Sequence, residues 1–337
     1  MNKLEDHTRD IELLTNMKPY VIGLCVMEHR ALFGIVDARG SIISSESLQM
    51  MDYPEPTTFV FDVCGRLMPM IEKCGGMEKI KAMGICACSG NNINGCIESP
   101  ANLLWHGKIS LAKMFQGSLG IAVSLLNDAT AAAMGEMAFG AAHGLQNFVV
   151  VNMNIGLGAG IFVNNRAVRG YNGRVGEIGH VTIFPGGRSC GCGKVGCLES
   201  YVSRRGIIAN ALDLLKRHPE VQTPLRDVIP AELSIVKIVE AAEKGDPLAL
   251  ECLRYTGELL GKALVPVASF INPEAFILCG EAGTLCGKFM QRAILEALND
   301  NLFAQMKWHT RVLVSKLPPN EAPLLYASAE AWNTKEI

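Results

Sequence analysis

Two successive sets of hairpin strands, each followed by alternating helix and strand, predict an α/β fold with a duplicated unit: two domains with a ligand cleft between the copies. Three observations carry that expectation. Strand-type runs open the chain, the pattern restarts near residue 128, and 337 residues at 49% hydrophobic content suffice for two cores.

The elements follow in order. "YVIGLCV", "RALFGIVD" and "SIISSESLQM" alternate like consecutive strands, with "DARGS" as a tight turn between the last two. Phe59, Val60, Val63, Leu67, Met70 and Ile71 recur at helical spacing, so 57–73 is an amphipathic helix crossing the sheet. "KAMGICAC" is a buried strand ending at Ser89-Gly90, "ISLAKMFQ" a short helix and "IAVSLLND" a strand. The helix "ATAAAMGEMAFGAA" begins the second copy, followed by the strands "NFVVVNMNI" and "AGIFVNN". Helices are expected around 199–217, 233–244 and 247–270, then the strand "AFILCG"; 218–232 is the most irregular stretch. Ligand sites in such folds lie where strand ends of the two halves face each other.

Composition excludes several function classes. The formal charge of -2 gives no general nucleic-acid or membrane-surface footprint. No apolar run is long enough to span a membrane, and "MNKLEDHTRDIELLTNMK" lacks the apolar core of a signal peptide. A cytoplasmic location is therefore expected, where twelve cysteines read as thiols or metal ligands rather than disulfides. Nine are scattered through apolar segments as small buried hydrophobes, among them Cys64, Cys86, Cys252 and Cys279.

The other three stand together. In "GEIGHVTIFPGGRSCGCGKVGCLES", residues 176–200, Cys190, Cys192 and Cys197 follow His180 at a spacing that offers three thiolates and an imidazole. That is a full tetrahedral shell for Zn2+, a structural metal with no position left to activate water. Gly191, Gly193 and Gly196 permit the turns this requires. A redox pair or idle thiols are the alternatives, although a Cys190–Cys192 disulfide would close a very small, strained ring. The knot stabilises the loop that carries Glu177, His180 and Glu199.

"GEIGH", nine residues and then "CGCGKVGCLE" resembles the signature of the ROK family (repressors, open reading frames, kinases). The resemblance runs from about Tyr20 to the last helix and includes "NDATAAAMGE" at 127–136 and "NPEAFILCGEAG" at 272–283. It implies the duplicated actin-like, sugar-kinase (ribonuclease H-like) fold. The expected division is a polar leader 1–19, an N-terminal α/β domain 20–126 rejoined by the C-terminal helix at about 321–337, and a C-terminal α/β domain 127–320 with the zinc loop at 180–197.

The resemblance also implies a sugar site. Asn127 and Asp128 match the pair that faces the hexose, the aspartate being the general base of the kinases. Asn102 matches a sugar-contacting loop residue, and Ser89-Gly90 stands where the family usually has Pro-Gly, so Gly90 borders the sugar. Glu177 and Glu199 would accept hydroxyl hydrogen bonds, and His180 would use one ring nitrogen on zinc and the other on the sugar. Read as residues alone, Asp128 equally suits a helix N-cap, Asn102 a turn, and the two glutamates a solvated face.

The nucleotide side departs from the kinases, whose first strand turns through a pattern like D-x-G-G-T-K. Cys25 replaces the aspartate, Met27 and Glu28 the two glycines, and His29 the threonine. Bulky side chains and a carboxylate then stand where backbone amides would meet phosphate. The second phosphate loop reads "NIGLGAG": Gly156, Gly158 and Gly160 remain as doubtful nucleotide contacts, while Asn154 and Ile155 replace Gly-Thr. Such a glycine run also suits a close hairpin crossing.

Kept sugar contacts with degraded phosphate loops imply a carbohydrate sensor of the transcriptional-regulator type that changes the angle between its domains on binding sugar. The alternative is an ATP-dependent sugar kinase that phosphorylates a hexose or N-acyl-hexosamine from Mg-ATP, with Asp128 as base. A non-catalytic assembly partner is a third reading. Direct DNA binding by this chain is not expected, because residues 1–19 show no recognition-helix pattern and are too few for a winged helix-turn-helix. The family suggests a homodimer or tetramer.

Overall fold

The computed structural model describes residues 18–99 and 103–334. The expected leader lies almost wholly outside them, as do the last three residues of the expected C-terminal helix. Contacts divide the chain into two units: residues up to Phe139 with Arg169–Arg174 and Asn320 onward, and Gly140–Val168 with Val175–Pro319.

The first unit is built on strands β1 (Tyr20–Val26), β2 (Arg30–Asp37), β3 (Ile42–Gln49), β4 (Ile80–Ala87) and β8 (Val123–Asn127), in the order β3-β2-β1-β4-β8. The first three pair antiparallel as a meander, whereas β4 and β8 run parallel to β1 and are reached by crossovers. Helix α1 (Pro56–Lys73) has proline in its first turn and buries Phe59, Val60, Val63, Leu67, Met70 and Ile71, the six residues its periodicity names. Phe59 meets Trp105 edge-on, with ring centroids 5.2 Å apart. Between β4 and β8 lie helix α2 (Leu111–Leu119) and a small sheet the sequence did not announce: β5 (Gly90–Asn91), β6 (Cys96–Glu98) and β7 (Lys108–Ile109).

Helix α3 (Asp128–Phe139), placed by the sequence at the start of the second domain, packs in the first unit. The reason is its small-residue face. Gly135 lies against Tyr326 of the final helix, Ala322–Asn333, and the Tyr326 hydroxyl donates to Glu136 Oε1 at 3.0 Å. That final helix also lies across β1 and β4 at Gly23 and Gly84, which form a register pair. Residues 169–174 join this unit as well, through Arg174 Nη2 to Glu98 Oε2 at 2.6 Å and Asn91 Nδ2 to the Asn172 carbonyl at 3.2 Å.

The second unit repeats the plan in the order β11-β10-β9-β12-β13, with β9 (Phe148–Met153), β10 (Leu157–Val163), β11 (Arg166–Ala167), β12 (Ala275–Cys279) and β13 (Arg311–Val314). Its helices are α4 (Glu199–Val202), α5 (Arg204–Arg217), α6 (Ile235–Glu243), α7 (Pro247–Ile271) and α8 (Gly280–Asn301). The single helix expected over 199–217 breaks at Ser203, which is extended and whose side chain accepts from Gly206 N. Helix α8 was not named from the sequence. It starts directly from β12 at Gly280, whose φ of 76° leaves no connecting loop to signal a boundary. Among the described residues no helix is long and apolar enough to cross a membrane. Of the nine scattered cysteines, Cys64, Cys74 and Cys88 are only partly buried, against the expectation of full burial.

Two outcomes follow. A Cβ at Gly84 would run into the carbonyl oxygen of Ala327, so Gly84→Ala should cost about 3 kcal/mol in denaturant unfolding by forcing the final helix off the sheet. Hydrogen bonds from Asn94 and Asn91, and then Arg174, lower Glu98 from 4.5 to about 2. A depressed carboxylate stabilises fully above its unfolded value, and that stability is lost as the pH falls through its folded one. The protection factors of the 169–174 amides, corrected for intrinsic exchange, should therefore stay constant above pH 5 and fall below it, and Glu98→Gln should remove that step.

Candidate functional site

The loop from His180 to Cys197 is shaped by turns. Cys190 N donates to Lys194 O at 2.9 Å and Gly193 N to Cys190 O at 3.1 Å, while isolated bridges join Thr182 with Cys197 and Ser189 with Val195. Gly196 has φ 76°, and a Cβ there would overlap the Phe184 carbonyl. The result brings together the four side chains expected to bind metal. Their ligand atoms all lie within 4.8 Å of one another, a group that could hold a metal ion.

Two of the separations match a tetrahedral shell. Cys192 Sγ and Cys197 Sγ are 3.8 Å apart, and Cys190 Sγ lies 3.7 Å from His180 Nδ1. A zinc–sulfur bond of about 2.3 Å gives a tetrahedral S···S edge of about 3.8 Å. Burial pushes the Cys190 thiol up to about 12, whereas the Lys194 amide lowers Cys192. With His180 Nδ1 on the sulfur side, Nε2 faces Glu177, 3.9 Å from its carboxylate.

Arg188, which the sequence reading passed over, ties this loop to the helices behind it. Its Nη1 donates to Ser200 O at 3.0 Å and Asn210 Oδ1 at 2.7 Å, its Nη2 to Asp213 Oδ2 at 2.6 Å, and its guanidinium covers the Tyr201 ring. A lone arginine carries no spacing signal; its partners lie 12 to 25 residues away.

Glu199 opens α4 and turns toward the glycine run. Its Oε2 accepts from Leu157 N at 3.0 Å, and its Oε1 lies 3.6 Å from Cys190 Sγ. Gly156 sits directly on this carboxylate; a Cβ there would be 3.1 Å from Oε2. Gly158 and Gly160 lie inside β10, paired with Asn152 and Val150, so of the three glycines Gly156 alone belongs to the turn. Asn154 fills that turn: its Oδ1 accepts from Glu281 N at the start of α8 at 2.8 Å, and its Nδ2 donates to Asn152 Oδ1 at 2.9 Å. Arg204 adds an ion pair to Glu281 at 3.2 Å.

The remaining candidates belong to the first unit. Asn127 ends β8 and Asp128 begins α3, both half-buried. Asn127 Oδ1 accepts from Ala129 N at 3.0 Å, so Asn127 caps this helix, the role weighed for Asp128. Gly90 is pressed onto the strand, its Cβ position 2.6 Å from Leu126 O. Ser89 before it has φ 55°, a left-handed conformation that proline, usual here in the family, cannot adopt. Asn102 lies outside the described residues. At the first phosphate turn, Met27 N donates to Arg30 O at 3.0 Å, closing β1 to β2 over Met27, Glu28 and His29. Cys25 pairs in register with Cys86, whose thiol is raised by its hydrogen bond to Cys25 and by burial. Burial and then the charge of Asp128 push Cys88 up to about 12.

The sequence profile of the ROK family matches residues 22–329. The chain belongs to the ROK family. A ROK glucokinase structure from Streptomyces griseus, solved with glucose and AMPPNP, aligns over 93% of this chain and 99% of that one at 29% identity and TM-score 0.78. A ROK transcriptional regulator, a homolog of the E. coli MLC protein, aligns over 93% of this chain and 78% of its own at TM-score 0.81 and 22% identity, a likeness of fold. Both relatives share the actin-like plan described above. By sequence, the glucokinase of Streptomyces coelicolor is 32% identical over 77% of this chain and 81% of its own. The N-acetylglucosamine repressor of Escherichia coli O157:H7 is 35% identical over 58% of this chain and 47% of its own. The ROK chain described here thus resembles enzymes and repressors at similar identity.

The tight loop makes Gly196 the sensitive position. Gly196→Ala should lower the zinc retained after purification at least about tenfold, measured by elemental analysis, while far-ultraviolet circular dichroism stays that of the folded chain.

Proposed function

We propose that this ROK protein is a carbohydrate sensor: it binds a hexose or N-acetylhexosamine and does not use ATP. One observation carries the reading. Asn154 Oδ1 already accepts from the Glu281 amide at the start of α8, the kind of donor a phosphate would need, and the first phosphate turn carries Met27 and Glu28. Phosphoryl transfer depends on positioning and charge stabilisation, so filling both turns with side chains removes most of what catalysis requires.

The sugar side keeps its acceptors. Asp128, Glu177 and Glu199 take hydroxyl protons in hydrogen bonds; Glu199 retains lone pairs beyond the one used by Leu157 N. His180 holds Zn2+ through Nδ1 with Cys190, Cys192 and Cys197, and presents Nε2 beside Glu177 for a further hydroxyl. Zinc here supplies rigidity and no chemistry, since four protein ligands close its shell. The kinase reading rests on the glucokinase relatives and on a carboxylate at a strand end where a general base would stand.

Isothermal titration of the zinc-loaded chain decides between them. A sugar from a panel of hexoses and N-acetylhexosamines should give saturable heat, and Mg-ATP none. Sugar-dependent release of ADP, abolished by Asp128→Asn, would establish the kinase instead.

A further inference from the structure

We infer that Asn92, a residue that no motif singles out, contacts the sugar: its carboxamide NH2 donates to an oxygen of the ligand beside Asp128. This rests on the sugar-binding reading above.

The argument begins with a backbone donor. Asn127 N lies 3.1 Å from the Asn92 carboxamide, and a backbone N–H can only donate, so the atom facing it is Oδ1. With Oδ1 used by that donor, Nδ2 is the atom left to meet a ligand. The same logic fixes the next residue, where Ala129 N donates to Asn127 Oδ1 at 3.0 Å. Two carboxamides therefore stand at the end of β8 with their oxygens occupied, and among the described residues neither NH2 has an acceptor. Both residues are half-buried; Asn127 immediately precedes Asp128, and Asn92 is held to Asn127 N.

The backbone at Asn92 is held from both sides. Gly90 is packed on Leu126 O, and Asn91 is buried, with bonds to the Asn172 carbonyl, Glu98 and Ile93 N. A side chain on so constrained a loop loses little freedom when a ligand meets it. Supporting Asn127 N would need only an acceptor, which aspartate supplies equally well. What asparagine adds is the donor pair.

The polarity selects a ligand class. An ionised carboxylate only accepts and a carboxamide NH2 only donates, so the strand end suits a group that does both. Sugar hydroxyls do both, donating to Asp128 and accepting from Asn92 and Asn127. An N-acyl carbonyl offers the acceptor alone. Either source presents an acceptor oxygen to Nδ2.

Asn92→Asp separates the two roles of this side chain, because it keeps the acceptor for Asn127 N and replaces the donor. In calorimetric titration of the full zinc-loaded chain with hexoses and N-acetylhexosamines, this variant should melt like the parent and bind sugar at least about tenfold more weakly. Asn92→Leu removes the donor without adding charge and should weaken binding by a similar factor. Loss for both sugar types assigns the oxygen to a ring hydroxyl, and loss confined to N-acetylhexosamines assigns it to the acyl carbonyl. Unchanged affinity in either variant overturns the inference and leaves the sugar reading standing. A parent chain that binds none of the panel overturns both.

Discussion

Residues 181–195 bury no side chain completely, so the loop that carries the candidate metal ligands has no core of its own. Its shape depends on the convergence of His180, Cys190, Cys192 and Cys197. A metal held by these four side chains would substitute for the apolar area that a short, glycine-rich loop cannot bury. The ordering cost of such a loop is about 1–2 kcal/mol per residue, far beyond what the turn hydrogen bonds return. Arg188 fixes the outcome in place by anchoring the loop to Ser200, Asn210 and Asp213. The four candidate metal ligands converge within the loop, and Arg188 ties that loop to α4 and α5.

From that knot a continuous set of hydrogen bonds crosses the second unit. Cys197 leads directly into Glu199, whose carboxylate holds Leu157 N; Asn154 N then bonds Gly156 O, and Asn154 Oδ1 holds Glu281 N. The Asn154 carbonyl also accepts from Arg204 N at the head of α5. The turn that serves phosphate in nucleotide-binding relatives is here a junction between the metal loop and two helix starts. Gly280 permits it: with φ 76° and no side chain, it lets Asn152 Oδ1 and Asn154 Oδ1 come within 2.7 and 2.8 Å of where a Cβ would be. These bonds link Glu199, at the start of α4, with Glu281 N at the start of α8.

Short-range periodicity made much of this legible in advance. The six buried positions of α1 follow from helical spacing, and the first three strands from their alternation and the "DARGS" turn. The convergence of the candidate metal group was legible for a chemical reason, since thiols two and five residues apart beside glycines fit a common ligand shell. What stayed hidden was long-range. The β5-β6-β7 sheet has strands of two or three residues, too short for any pattern, and residues 169–174 join the first unit through long-range bonds to Glu98, Asn91 and Glu330. Arg188, Asn92 and Asn154 act through partners 12 to 127 residues away. The boundary at residue 127 marked a real restart of pattern, yet α3 belongs with the first unit because its alanine-rich face fits the returning final helix.

The two halves of the candidate chemistry differ in how they tolerate change. A phosphate turn works through backbone amides, so an added side chain can exclude the ligand by volume or by satisfying an amide first; here Asn154 Oδ1 accepts from Glu281 N. A sugar site works through side-chain acceptors and donors that need only stand at the right strand end, and Asn127 and Asp128 still stand there. Retaining Asp128 is therefore weak support for catalysis, because the same carboxylate that would accept a proton in a kinase accepts a hydrogen bond in a sensor. The discriminating residues are those that replaced glycine and threonine. On the proposed sensor reading, their effect would be physical exclusion at the phosphates, with hydroxyl recognition left intact.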